Sequence, residues 1–234
     1  MQPNPISMPG SVKDFDRKTL FAHERAAIDA AFAKIGGSKG TRVLDMGCGR
    51  GRTTAVLADE YLADVQAFDI NPEIVADAAR IRPDIDFRID DATQLKGYGD
   101  ESYDMVCFPF NGIDYIPNRL AREACYAQVA RVLRQGGVFV YSSHNRRALL
   151  ANKDARRIFR HNLWRLLVNA DMLYELGQMW NLPLWHGTPK AEAAMLAGAG
   201  LERVAIWSRR RGAPTDDPAA AKGEHWPYYI AVKR

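Results

Sequence analysis

Apolar and polar positions along this chain change period repeatedly, from the three-to-four spacing of helices to short apolar runs bounded by turn residues. Residues 16–35 read as an amphipathic helix that stops at Gly36-Gly37. Arg42-Val43-Leu44 follows as a strand that delivers Asp45 to a glycine-rich turn, and residues 53–62 read as the next helix. Val65 to Asp69 is a second strand. Asn71-Pro72 opens a third helix, with proline in the first turn, where its missing N–H costs nothing. Ile85 to Ile89 alternates as a short strand, and Tyr103 to Phe108 reads as a buried one. A helix over residues 117–133 carries Ala121, Cys125, Val129 and Val132 on one face and is predicted to end at Gly136-Gly137, before a strand from Val138 to Ser142. Thr188-Pro189 caps a helix that runs to Gly200, and Leu201 to Trp207 and Tyr228 to Val232 read as a closing antiparallel ribbon. Alternation of this kind predicts an α/β fold with a doubly wound, mostly parallel sheet.

The turn after the first strand reads VLDMGCGRGRT over residues 43–53. Gly47, Gly49 and Gly51 let the backbone turn tightly at the carboxyl edge of the sheet, where ligands of such folds bind. The pattern lacks the lysine of GxxxxGK[ST], and its GxGxG is one residue shorter than the dinucleotide-binding GxGxxG. Asp45 would repel a pyrophosphate and attract an ammonium or a sulfonium. On these residues the chain resembles the class I S-adenosylmethionine-dependent methyltransferases, whose first motif is a hydrophobic strand ending in an acidic residue followed by GxGxG. The resemblance covers residues 40–145 and 188–234 and implies seven strands in the order 3-2-1-4-5-7-6, the last antiparallel. Within one domain over residues 1–234, residues 1–39 are expected to form an N-terminal helical cap and residues 146–187 a helical lid.

The resemblance also implies site residues. Asp45, Gly47 and Gly49 would hold the methionine half of the cofactor, and Asp69, with Ile70 beside it, the ribose hydroxyls. Asp91 and Ala92 would meet the adenine, Asp90 being the neighbour that could replace Asp91. The loop from Phe108 to Tyr115, including Asn111, would line the space between the transferable methyl and the acceptor. That loop has no [DN]PP[YFW] motif, and no proline precedes Cys107, so methylation of nucleic-acid bases is not expected. It looks instead like the loops of small-molecule methyltransferases.

Methyl transfer to a hydroxyl requires a proton acceptor. His144, just past the fifth strand, is the leading candidate, with Asn145 to orient it; His186, His225, Asp114 and Tyr115 are the alternatives. Tyr115, Asn145, Trp164 and His186 are the residues expected to line the acceptor pocket. Arg146, Arg147, Lys153, Arg156, Arg157, Arg160 and Arg165 make the first half of the lid basic, which reads either as an anion-binding patch or as the solvated side of a helix whose Ile158, Phe159, Leu163, Leu166 and Leu167 face inward.

Composition sets the bounds. The 234 residues suit one α/β domain, and 26% charged residues with 47% hydrophobic ones exclude disordered and fibrous classes. A net charge of +4 is mildly basic and decides little. No apolar run approaches a membrane span and no signal peptide is recognisable, so a cytoplasmic protein is expected. Cys48, Cys107 and Cys125 are too few and scattered for a disulfide framework, and without Cys/His ligand spacing no metal is expected. The expected function is methyl transfer from S-adenosylmethionine to a small-molecule hydroxyl. N-methylation, RNA or protein methylation, and cofactor binding without turnover stand as alternatives, and a homodimer is left open.

Overall fold

The computed structural model describes residues 19–150, 153–168, 170, 172–174, 183–207, 214–215 and 223–234. Its central strand, β1 (Arg42–Met46), is apolar on both faces, because helices cover the sheet on both sides. Val43 packs into one core cluster with Ile28, Val65, Met105 and Val138, while its neighbour Leu44 packs into the other with Phe68, Val106 and Phe139. The same two-residue alternation continues through β4 (Tyr103–Phe108) and β5 (Leu133–Ser142).

Parallel pairing joins β1 to β2 (Asp64–Asp69) and to β4; β2 pairs with β3 (Asp86–Ile89), and β4 with β5. On the far side of β5, β11 (Tyr228–Lys233) inserts antiparallel between β5 and β9 (Leu201–Trp207). The expected order 3-2-1-4-5-7-6 is therefore observed, with the short β10 (Pro214–Thr215) added at the edge beside β9. The crossovers are α2 (Arg52–Asp59), α3 (Pro72–Ile81), α4 (Arg119–Val132) and α7 (Pro189–Gly198). Asn71 and Thr188 cap α3 and α7 as expected: the Asn71 carbonyl accepts from Glu73 N, and the Thr188 hydroxyl from Ala191 N.

Four expectations need correction. The first helix, α1, spans Ala22–Ile35; of its predicted start at residue 16, residues 16–18 lie outside the described residues. Gly136-Gly137 does not end α4. The chain is already extended at Leu133, which pairs with Tyr103, and the glycines sit inside β5 where its register against β4 shifts. A Cβ on Gly137 would lie 2.8 Å from the Arg134 carbonyl oxygen, so the shift needs a residue without one.

Among the described residues, the segment expected to form the lid is helical in its first part and extended after it. After a 3₁₀ turn at Arg146–Leu150 come α5 (Lys153–His161) and α6 (Leu163–Leu167), then β7 (Met172–Tyr174) and β8 (Pro183–Gly187), which form a small sheet with β6 (His144–Asn145). Nor do Leu163 and Leu167 face inward: both are exposed, whereas Ile158 packs on Leu149 and Leu173 with Phe159 and Leu166 beside it. The helix breaks at Asn162, whose amide donates to Ile158 O and Tyr174 O and accepts from Tyr174 N. The break resets the helical phase of the residues after it.

A buried cation ties the second half of the chain together. Arg122 of α4, fully buried, donates to Asp114 (3.0 Å), to the Ser143 hydroxyl (2.8 Å) and to both carboxylate oxygens of Glu192 on α7 (3.2 and 3.1 Å). Tyr126, Tyr141 and Trp185 converge on the same Glu192 carboxylate. Removing one member of a buried ion cluster leaves the others charged and unpaired. Arg122→Met, which keeps the aliphatic stem, is expected to lower stability in urea denaturation by about 3–5 kcal/mol.

Candidate functional site

Asp45, one residue before the end of β1, is fully buried. One carboxylate oxygen, Oδ2, accepts from the Thr54 hydroxyl at 2.6 Å; the other, Oδ1, is buried with no hydrogen-bond partner among the described residues. Burial pushes the Asp45 carboxyl up to about 7, against the opposing pull of Thr54 and Arg52. The group therefore waits for a donor.

The glycine turn supplies the space beside it. Gly47 has φ +61°, and a Cβ there would meet the Phe108 ring at 2.7 Å; Gly49 has φ +55° with open space where its side chain would be. The Gly49 N–H donates to Asp69 Oδ2 and the Asn71 N–H to Asp69 Oδ1, each at 3.0 Å. Asp69 thus spans the ends of β1 and β2. Each of its oxygens has one further lone pair, the complement of a vicinal diol.

Asp91 lies one strand further, after β3. Its Oδ1 accepts from the Thr93 N–H and hydroxyl, both at 2.8 Å, and its Oδ2 from the Gln94 amide at 3.2 Å. Burial would raise its pKa, but these bonds outweigh it and hold Asp91 below the ordinary carboxylate value. Asp90 is engaged in its own turn, accepting from Asp91 N and Gly97 N. Ala92 is buried, and Ile70, after Asp69, is exposed.

Phe108 ends β4 packed over Gly47 and Gly112. Phe110 and Asn111 follow in the left-handed region, φ 54° and 58°, and the Asn111 N–H donates to the Ser142 hydroxyl at 2.8 Å. The Asn111 side-chain Oδ1 is buried without a partner among the described residues, a second orphaned acceptor near the turn. Phe110 stacks on Phe21, and the Arg52 guanidinium lies 5.5 and 5.6 Å from the two rings. Arg52 also makes a bidentate pair with buried Glu24, 2.7 and 2.8 Å, which fixes α1 against the start of α2. The sequence reading passed over this pair, whose partners stand 28 positions apart.

Beyond β5 lie His144 and its partners. Fully buried Asp114 accepts through Oδ2 from both the backbone N–H and the Nδ1 of His144, each at 2.7 Å, and through Oδ1 from Ser143 and Arg122. Burial acts to raise its pKa, yet Arg122, His144 and Ser143 together hold Asp114 below its usual value. Asp114 contacts the His144 ring directly, while the Asn145 amide donates to Glu224 O and accepts from Arg147 N. His186 pairs with His144 in the β6–β8 ladder, and the His225 carbonyl accepts from Asn145 N. The His144 ring lies 4.7 Å from that of His186 and 5.3 Å from that of His225, centroid to centroid. Tyr115 is half-buried at the end of the Gly112–Tyr115 turn, and Trp164 on α6 is 74% exposed and not among the rings that meet here.

Residues 43–137 match the family described as a methyltransferase domain. A demethylmenaquinone methyltransferase of Beutenbergia cavernae is 37% identical over 116 residues, 50% of this chain and 44% of that protein. A ubiquinone biosynthesis O-methyltransferase of Xanthomonas campestris is 31% identical over 140 residues, 57% of this chain and 55% of the relative. The chain spans about half the length of the curated relatives it matches. A solved S-adenosylmethionine-dependent methyltransferase of Methanosarcina mazei shares the fold with a TM-score of 0.66 and 19% identity, covering 83% of this chain and 93% of that one. Residues 43–137, with Asp45 near the end of β1 and the glycine turn beside it, are thus similar to a methyltransferase domain, and the sheet with its reversed last strand has the fold of the solved methyltransferase.

Proposed function

We propose that this protein transfers a methyl group from S-adenosylmethionine to a small molecule, and that the acceptor atom is a hydroxyl oxygen. The observation that carries the reading is Asp45, a buried carboxylate with one oxygen unpartnered among the described residues, beside glycines that leave room for a ligand. The cofactor has an ammonium to occupy that oxygen, a ribose diol for Asp69 and an adenine for Asp91 and Ala92. Bound there, it supplies an electrophilic methyl on a sulfonium. Phe108 and Asn111 line the space between this cradle and the histidines. The relatives named for menaquinone and ubiquinone biosynthesis support a small-molecule acceptor, and one of them is named an O-methyltransferase.

The protein's own contribution is alignment and proton removal. Asp114 accepts from His144 Nδ1, which leaves the neutral ring's lone pair on Nε2, and its negative charge stabilises the imidazolium that forms when a proton arrives. Three buried cysteines, none in a disulfide, agree with a cytoplasmic setting; among the described residues no helix is long and apolar enough to cross a membrane.

Calorimetric titration with S-adenosylmethionine and S-adenosylhomocysteine tests the cofactor. Both are expected to bind, NADH is not, and Asp69→Ala should weaken binding roughly 100-fold by removing two charge-assisted hydrogen bonds. Binding of NADH alone would refute the reading. Affinity should also depend on pH. With the Asp45 carboxyl at about 7, its ionised form, which attracts the ammonium, is scarce at low pH and dominant at high pH. Affinity is therefore expected to be about tenfold weaker at pH 6 than at pH 8, and Asp45→Asn should bind weakly with a flatter pH response. For His144→Ala, turnover of a hydroxylated acceptor should fall roughly 10²-fold to 10³-fold while cofactor affinity is retained.

A further inference from the structure

We propose that His144, His186 and His225 form a binding site for a divalent transition-metal ion of the zinc class, on the acceptor side of the cofactor cradle. One ring nitrogen from each histidine lies within 4.8 Å of the other two, and His144 and His186 are buried. The residues stand 42 and 39 positions apart, so no ligand spacing announces them. Three separate structural devices converge them. The parallel β6–β8 ladder sets His144 beside His186; the bond from Asn145 N to His225 O, 3.0 Å, and that from the Asn145 amide to Glu224 O, 3.1 Å, pin the third residue against β6.

The hydrogen bonds at the first two rings are those that orient metal-ligating imidazoles. His144 Nδ1 faces the Asp114 carboxylate at 2.7 Å, and His186 Nδ1 faces the Leu184 carbonyl at 3.0 Å. Both partners can only accept, so a proton on each Nδ1 would direct Nε2 toward a metal. Arg122 donates to the other oxygen of the same carboxylate at 3.0 Å, which holds Asp114 in place against the His144 ring.

Tetrahedral coordination at metal–nitrogen distances of about 2.0–2.1 Å places ligand nitrogens about 3.4 Å apart, within reach of a small inward turn of these rings. Three imidazole ligands leave at least one coordination position open, and imidazole suits zinc, cobalt, nickel and iron better than magnesium or calcium. This inference rests on the proposed function only for what the open position would take. An acceptor hydroxyl bound there loses its proton more readily. The proton leaves to solvent, the oxygen forms the bond to the methyl carbon, and the methyl–sulfur bond breaks with its electron pair remaining on sulfur. His144 then acts as a ligand, and the loss of turnover expected for His144→Ala follows from loss of the metal.

The test uses untagged full-length protein, stripped with a chelator, equilibrated separately with Zn²⁺, Co²⁺, Ni²⁺ and Fe²⁺, and freed of unbound ion before elemental analysis. About one ion per chain is expected for at least one metal, and Co²⁺ should give visible absorption bands of low-coordinate cobalt. His186→Ala and the more accessible His225→Ala should each bind less than about one fifth as much, with unchanged far-ultraviolet dichroism and unchanged S-adenosylhomocysteine affinity. Failure of every metal to reach stoichiometric binding would overturn the proposal, as would wild-type metal content in a folded His225→Ala variant. Cofactor titration on the stripped protein separates the two readings: cofactor binding without metal leaves the proposed function standing, and metal binding without cofactor leaves only this site.

Discussion

One buried guanidinium holds the part of this molecule around His144 in place. Arg122 lies in the interior with Asp114 on one side and Glu192 on the other, and each carboxylate is tied to a different part of the chain. Asp114 sits in the turn after β4 and grips β6 through Ser143 and His144. Glu192, in the first turn of α7, gathers Tyr126, Tyr141 and Trp185. A charge this deep is tolerable only when every partner is present, so α4, β5, β6, β8 and α7 are constrained to one arrangement. The orientation of His144 is a consequence of that arrangement.

The cofactor side depends on a different and more local device. Asp69 accepts from the glycine turn and from its own strand end, which fixes the spacing of β1 and β2 at the sheet edge. Close approach is possible because Gly47 and Gly49 take positive φ and carry no Cβ. Asp45 is then left with a buried oxygen unmatched among the described residues, a cost to the folded protein that a bound cation would remove. The two halves of the proposed site are thus built on different principles: local backbone shape at the glycine turn, a long-range polar network around His144.

Between them, the turn from Phe108 to Tyr115 belongs to both. Phe108 packs on the glycine turn, Asn111 is anchored to Ser142 of β5, and Asp114 reaches His144. Movement in this segment would disturb both sets of contacts together, which suits the proposed methyl transfer, whose main requirement is the alignment of two molecules.

The amino-acid sequence by itself determined the sheet and its strand order, and it marked the residues proposed to cradle the cofactor. Those features rest on short-range signals: two-residue alternation in β1, β4 and β5, the Asn71-Pro72 and Thr188-Pro189 caps, and Asp45, Gly47, Gly49 and Asp69 within one strand–turn–helix–strand unit. It misplaced the end of α4, because Gly136-Gly137 has the look of a helix stop and only the pairing of Leu133 with Tyr103 reveals a strand there. It read Leu163 and Leu167 as inward because the break at Asn162 depends on a bond to Tyr174, 12 residues away. Only the tertiary structure decided the rest: the Arg52–Glu24 pair, the Arg122 network, the contact of Asp114 with the His144 ring, and the meeting of three histidines. These contacts join residues tens of positions apart, and no local period or spacing encodes them; they arise when the sheet order and the β6–β8 ladder bring distant segments to the same edge.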